Sequence, residues 1–460
     1  MSLEAFLRRV DEHRDELVER VREFLRMPSV SGTGEGIEET ASFLRDFLAD
    51  SLGASAELRR YGGHPIVYGV LDCGARHTLI YYNMYDVQPP EPLDKWVCPP
   101  FEARIVGDRL IARGAYNTKG ALMSGLLGME LCLKELGRLP MNVVFLIEGE
   151  EELGSPSMPK AVEDLREDLS KASVTLFVMP TELVRGKPRV VLGNKGIVFV
   201  EVRSRTSEYD VHSSLGRGLY NPAAVLAKIV SSLLDPLKGP LPPWLEEDAE
   251  TPTEADARYL RDIIESTPIE MVKELYGIRE TRLSGEDLYR EVFFRPNVNV
   301  DGFSSGYTGP GTKTIVPAEA VLRLDFRLVP NMDPEKVYRR FLEHVEGLGL
   351  SRLVEVELHD MYPPSKADPE GRAAEAARRA YRALGMRPYT IPMTPGSAPM
   401  YLFTRELGVD VVAAGPGHGG RAHAPNEYIT LDTIPGIAKY AVVFMREFAE
   451  LAERREPAKA

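Results

Sequence analysis

The sequence predicts an α/β fold in which a mainly parallel sheet flanked by helices is interrupted by a smaller α+β insertion. Three observations carry that reading. The chain has 460 residues, more than a single hydrophobic core usually serves. Between Pro65 and Pro180, short runs of β-branched and aromatic residues alternate with helical patterns, as in a parallel sheet covered on both faces. The pattern changes near Gly193 and returns from Asp368, so one unit encloses another.

The elements follow in order. Leu3, Phe6, Leu7 and Val10, then Leu17, Val18, Val21, Phe24 and Leu25, lie at helical spacing with charged residues between them. They predict a surface helix or helix pair rather than a signal peptide. Pro65–Leu71 and Thr78–Tyr82 predict strands, Lys119–Leu136 a helix, and Asn142–Ile147 and Val174–Met179 further strands with a helix between them. Catalytic groups of such sheets gather at the carboxyl ends of the strands. Here those ends are Asn83–Asp86, Glu148–Glu152 and Pro180–Glu182. Within the insertion, Ile197–Arg203, Asn297–Val300, Val321–Leu328 and Leu353–Leu358 predict a four-stranded sheet. Pro222–Leu234 and Pro334–Leu348 predict its two helices, and the Pro-rich stretch 235–254 an exposed connection. A helix ending at Leu384, a strand at Val409–Ala414 and a long helix from Ile434 complete the outer unit. The expected division is 1–193 with 365–460, and 194–364.

Composition excludes several function classes. The formal net charge is -13, with 27% charged and 43% hydrophobic residues, and no basic stripe of the kind that binds nucleic acid is visible. No apolar run approaches the roughly 18–20 residues that a membrane span requires. The three cysteines, Cys73, Cys98 and Cys132, are odd in number and widely spaced. They suggest neither a disulfide framework nor a cysteine zinc site and fit a reducing cytoplasm.

Four motifs carry the chemistry. They are Tyr82-Asn83-Met84-Tyr85-Asp86-Val87-Gln88, Arg113-Gly114-Ala115-Tyr116-Asn117-Thr118-Lys119-Gly120, Glu148-Gly149-Glu150-Glu151-Glu152-Leu153-Gly154 and Ala422-His423-Ala424-Pro425-Asn426-Glu427. With Asp210-Val211-His212-Ser213 and Gly311-Thr312-Lys313-Thr314 between them, their order and separation resemble a family of zinc peptidases. That family includes the aminoacylase, carnosine dipeptidase, succinyl-diaminopimelate desuccinylase and glutamate carboxypeptidase types. The resemblance covers essentially the whole chain. It implies a hydrolase of amide bonds in dipeptides or N-acyl amino acids, with a small peptide or acyl-amino-acid ligand. It also implies a homodimer formed through the insertion, which then serves as a lid.

Carried over position by position, the resemblance makes Glu151 the general base, Glu152 and His423 ligands private to one metal, and Asp86 an acid that orients a ligand. His212 becomes the lid histidine that steadies an oxyanion across the dimer. Three ligand positions are substituted: a histidine by Met84, the bridging aspartate by Asn117, and a carboxylate by Pro180. A thioether, an amide and a proline are poor replacements for zinc ligands among carboxylates. The expectation is therefore at most one zinc per chain, held by Glu152, His423 and Asn117, or none. Glu182 and His418 are the residues that could rebuild a second site. The arginine that grips the substrate carboxylate in the family is replaced by Met393, leaving Gly396 and Ser397, with Asn299 on its strand, as candidate substrate contacts. Two readings stay open: an impaired hydrolase, or a non-catalytic relative that binds a peptide or amino acid or pairs with another subunit.

Overall fold

The computed structural model describes residues 3–455. Its central sheet has eight strands in the order Ser55–Arg59, Ile66–Leu71, Asn142–Glu148, Thr78–Met84, Val174–Val178, Val411–Ala414, Arg189–Val191 and Tyr389–Ile391. Thr78–Met84 runs parallel to both its neighbours, and Val174–Val178 is parallel to Val411–Ala414. The other edge closes antiparallel through Ile66–Leu71 and Ser55–Arg59, so the sheet is mixed and mainly parallel. Its middle strands are buried on both faces, which is why they read as continuous apolar runs rather than alternating ones.

One face packs on Lys119–Leu136 and on Thr433–Arg455. These two helices touch so closely that a Cβ on Gly128 would stand 2.1 Å from the carbonyl oxygen of Ala438. The N-terminal helices Leu3–Glu12 and Arg14–Leu25 lie on the same layer, with Phe6, Val10, Val21 and Phe24 fully buried.

The second sheet is antiparallel, in the order Asn297–Ser305, Glu319–Leu328, Gly196–Arg205 and Glu355–Tyr362. Pro222–Leu233 and Pro334–Gly347 pack on one face and bury Leu226, Ile229, Phe326 and Phe341. The stretch 235–254 is not simply an exposed connection. Leu245 is fully buried, and the Trp244 ring lies 6.2 Å from Phe326. Helices Glu254–Ser266 and Gly285–Phe294 fall inside the range read as the insertion but pack on the outer unit. Leu260, Ile263, Tyr289 and Phe294 share a core with Tyr389 and Ile391, and Thr267 Oγ1 is 2.8 Å from the Tyr389 hydroxyl. Among the described residues, no helix is long and apolar enough to cross a membrane.

Candidate functional site

Parallel pairing explains why two motifs meet. Met84 is in register with Glu148, so the turns after these strands leave the sheet side by side. Asp86, fully buried, accepts the backbone N–H of Glu151 at 3.2 Å and of Glu152 at 3.0 Å through its two carboxylate oxygens. Its hydrogen bonds thus fix the acidic turn rather than orient an imidazole. Burial pushes its pKa up to about 7 despite those donors.

The glycine-rich second motif is placed by Glu427. That buried carboxylate accepts from Arg113 Nη1 at 2.8 Å and from the N–H groups of Gly114, Tyr116 and Asn117 at 3.1, 2.9 and 2.8 Å. Arg113 and Glu427 are each 1% exposed, so this is a fully desolvated ion pair. It anchors the loop on one side and the His423 loop on the other. His423 itself has φ 61°, an uncommon conformation for a side-chain-bearing residue and one that collects at functional sites.

At the centre, Asn117 Nδ2 donates to Glu152 Oε1 at 2.7 Å and lies 3.0 Å from His423 Nε2. His423 Nε2 is 3.2 Å from Glu152 Oε2, which also accepts from Gln88 Nε2 at 2.9 Å. The hydrogen bond to the Glu152 carboxylate raises the His423 pKa. Glu151 lines the same cavity, and its pKa is raised well above the carboxylate range, first by burial and then by the charges of Glu152, Glu148 and Asp86. The cavity measures about 480 Å³ and is closed on its far side by Tyr362, Ser397 and Pro399.

Met84 and Pro180 are engaged elsewhere. Met84 is 1% exposed and finishes its strand, with its N–H donating to Asn83 Oδ1 at 2.9 Å. Pro180 is buried, and Thr181 beside it bonds to the Tyr381 hydroxyl and the Gly415 carbonyl. Glu182 and His418 are engaged with backbone groups. The Glu182 carboxylate accepts from the N–H groups of Gly186 and Gly417, and His418 Nδ1 lies 2.9 Å from the Glu182 carbonyl.

These donors fit a metal pair badly. Glu152 and His423 are two good ligands for one ion, and Asn117 adds only a neutral amide whose nitrogen donates to Glu152 and lies 3.0 Å from His423 Nε2. Among the described residues, the group of three metal-capable side chains is Glu201, Glu357 and His359 on the second sheet, not in the cleft. Glu201 is already paired with Arg203 at 2.7 Å and Arg323 at 3.0 Å.

On the insertion side, Arg327 Nη1 donates to Ser397 Oγ at 2.8 Å while its Nε holds Asp325 at 2.7 Å. No motif marks Arg327, whose guanidinium reaches Ser397 of the cleft wall although Met393 occupies the expected arginine position. Met393 is 2% exposed and packs in the second sheet's core. Asn299 donates to Asp301 and Asp325, so it stands behind Arg327 rather than in the cavity. Gly396 is exposed, and its carbonyl accepts the Lys195 N–H. His212 is exposed on a short ribbon, paired with Ile315 and 2.9 Å from Ser214 Oγ, away from the residues lining this chain's cleft.

A two-sheet fold with a carboxylate–histidine cluster at the strand ends is the scaffold of a metallopeptidase. The chain belongs to peptidase family M20/M25/M40, whose pattern matches residues 81–447. It is similar to the Cys-Gly metallodipeptidase dug1 of Schizosaccharomyces pombe, 28% identical over 98% of this chain and 99% of that protein. It is also similar to the human Beta-Ala-His dipeptidase, 24% identical over 98% of this chain and 93% of that one. Among solved structures, an M20 family metallo-carboxypeptidase, Sso-CP2 from Sulfolobus solfataricus, superposes with a TM-score of 0.89. It is 36% identical and covers 95% of this chain and 99% of its own.

Proposed function

We propose that this protein binds short peptides or N-acyl amino acids and hydrolyses their amide bond with at most one metal ion, at reduced efficiency. The observation that carries this reading is that Glu151, Glu152, His423 and Ser397 line one cavity, with the Arg327 guanidinium donating to Ser397 Oγ at 2.8 Å. The dipeptidase and carboxypeptidase names of its relatives support it.

In this reading Arg327 and Ser397 hold the terminal carboxylate through charge-assisted hydrogen bonds. Zinc held by Glu152, His423 and Asn117 would supply Lewis-acid polarisation of the carbonyl. Glu151, in its ionised form, takes the proton of the attacking water, whose oxygen bonds to the carbonyl carbon. A cation beside Glu152 would favour that ionised form by offsetting the neighbouring carboxylates that, after burial, raise the Glu151 pKa. Glu151 returns the proton to the amine nitrogen as the C–N bond breaks. His212 would reach the oxyanion only from a second copy. A homodimer is therefore part of the proposal, supported by the exposed Tyr209, Leu215 and Tyr220 near His212 in the sequence. The buried Cys98 and Cys132 fit a cytoplasmic setting.

The Asn117 amide favours a second reading, a non-catalytic peptide binder. Its nitrogen donates to Glu152 and lies 3.0 Å from His423 Nε2 without a cation. The test is elemental analysis after zinc loading and removal of excess, with amine release measured on a dipeptide panel. One zinc with turnover supports the hydrolase, and none with peptide binding supports the binder. Two zinc ions would overturn the single-ion account.

A further inference from the structure

A second cavity, of about 380 Å³, lies behind the turn Thr394–Ser397. Pro395 of that turn lines this cavity, whereas Ser397 lines the catalytic one. Arg327 joins the two, because its side chain lines the second cavity while its Nη1 reaches Ser397. The walls are built from both units: Lys195 and Pro395 from the junction, Leu283, Leu288 and Glu291 from the helical segment, and Asn297 from the second sheet.

The charged groups on these walls are Lys195, Arg282, Arg327 and Glu291, so three cations face one carboxylate. Lys195 is 2% exposed, and of its ammonium protons one is given to the Arg295 carbonyl. Burial, and then the charge of Arg327, pull its pKa down to about 8. A buried ammonium beside a guanidinium is costly to keep ionised, and an incoming anion relieves that cost. Arg282 is exposed at the rim and donates to the Lys238 carbonyl at 2.9 Å. Leu283, Leu288 and Val292 complete an apolar floor, so a group entering here needs a methylene stem and an anionic end.

We propose that this cavity is a specificity pocket for an acidic side chain, glutamate in the first instance, on the residue whose terminal carboxylate is held by Arg327 and Ser397. The proposal rests on the peptide-site reading of the cleft. A glutamine side chain has the same shape but offers no charge to Lys195, so the pair isolates the electrostatic contribution.

The experiment is isothermal titration calorimetry of the full chain with glycyl-glutamate and glycyl-glutamine. The expected result is at least tenfold tighter binding of the glutamate peptide. That ratio should fall to about one in Lys195→Met and by several-fold in Arg282→Ala, a rim substitution that leaves the core untouched. Equal binding of the two peptides by the unmodified protein overturns the pocket but leaves the cleft reading standing. A preference that persists in both variants also overturns it. Failure of both peptides to bind removes the cleft reading and the pocket with it.

Discussion

Replacing Asn117 by aspartate tests the centre most directly. The substitution is nearly isosteric, so it changes charge and donor character at a position already fixed by four hydrogen bonds to Glu427 along its loop. In the native protein the Asn117 amide nitrogen lies 2.7 Å from Glu152 Oε1 and 3.0 Å from His423 Nε2. A carboxylate there puts two anionic oxygens at about 3 Å, worth about 5–6 kcal/mol of repulsion at an effective dielectric constant near 20. Protonation limits the cost. Keeping one acid neutral at pH 7, about three units above its ordinary pKa, costs roughly 4 kcal/mol. Solvent reaches His423, whose side chain is 54% exposed, so screening and a charged imidazole reduce this further.

The expected outcome is a loss of about 2–3 kcal/mol for Asn117→Asp in chelator, measured by urea unfolding. Zinc should reverse it, since a ligand at a hundredfold its Kd stabilises the folded state by about 2.7 kcal/mol. Asn117→Ala is the control: it loses two hydrogen bonds, about 1–3 kcal/mol, and should gain nothing from zinc. If Asn117→Asp unfolds at the native urea midpoint in chelator, or zinc leaves it unmoved, the cleft is not a metal site held closed by an amide.

Three further outcomes follow from the same contacts. Glu427→Gln leaves Arg113 charged, 1% exposed and unpaired. It should cost about 3–5 kcal/mol in denaturant unfolding, and a loss under 1 kcal/mol would contradict the anchoring role. Burial lifts the Glu148 pKa from its ordinary 4.5 to about 8. The folded state then binds more protons than the unfolded one across that interval, and stability falls as pH rises from about 4.5 to about 8. Glu148→Gln should flatten that slope in thermal melts and raise the Tm near pH 8. Gly128→Ala would gain about 1 kcal/mol of helix propensity but drives a methyl against the Ala438 carbonyl. Net destabilisation of about 1–3 kcal/mol by overpacking is expected in a melt.

The elements with long, continuous patterns were legible in the sequence. Lys119–Leu136 was read with the same bounds because a strand–loop precedes it and Gly137, with φ 75°, terminates it. The strands Arg189–Val191 and Tyr389–Ile391 were missed, since three residues are too few to carry a period. Trp244 and Leu245 sat in a Pro-rich segment whose composition resembles a linker, and only tertiary packing against Phe326 reveals otherwise. The cleft was legible where motifs surround a residue, as at Glu151, Glu152 and His423. It was illegible at Arg327, which stands on an alternating strand as an ordinary outward charge. Its partner Ser397 is 70 residues away in the chain, and no local spacing encodes that meeting. Gln88 and the Arg113–Glu427 pair are of the same kind.

The substitutions and the hydrogen bonds point to one physical account of the cleft. Asp86, Glu148 and Glu151 all have raised pKa values, with burial as the leading cause and neighbouring carboxylates adding to it. A family centre built for two cations would neutralise such a cluster with metal charge. The groups beside Glu152 here are the Asn117 amide, the Gln88 amide and the His423 imidazole. Met84 and Pro180 carry no charge to add to the cluster, and Asn117 replaces a negative group with a donor that bridges Glu152 and His423. An amide at 117 and a proline at 180 each leave one negative charge fewer than a carboxylate would, and so lower the positive charge the cleft needs. A metal ion entering this site must displace the hydrogen bond from Asn117 to Glu152. On the single-ion proposal, the same contacts that hold Asn117 in the cleft would oppose metal binding.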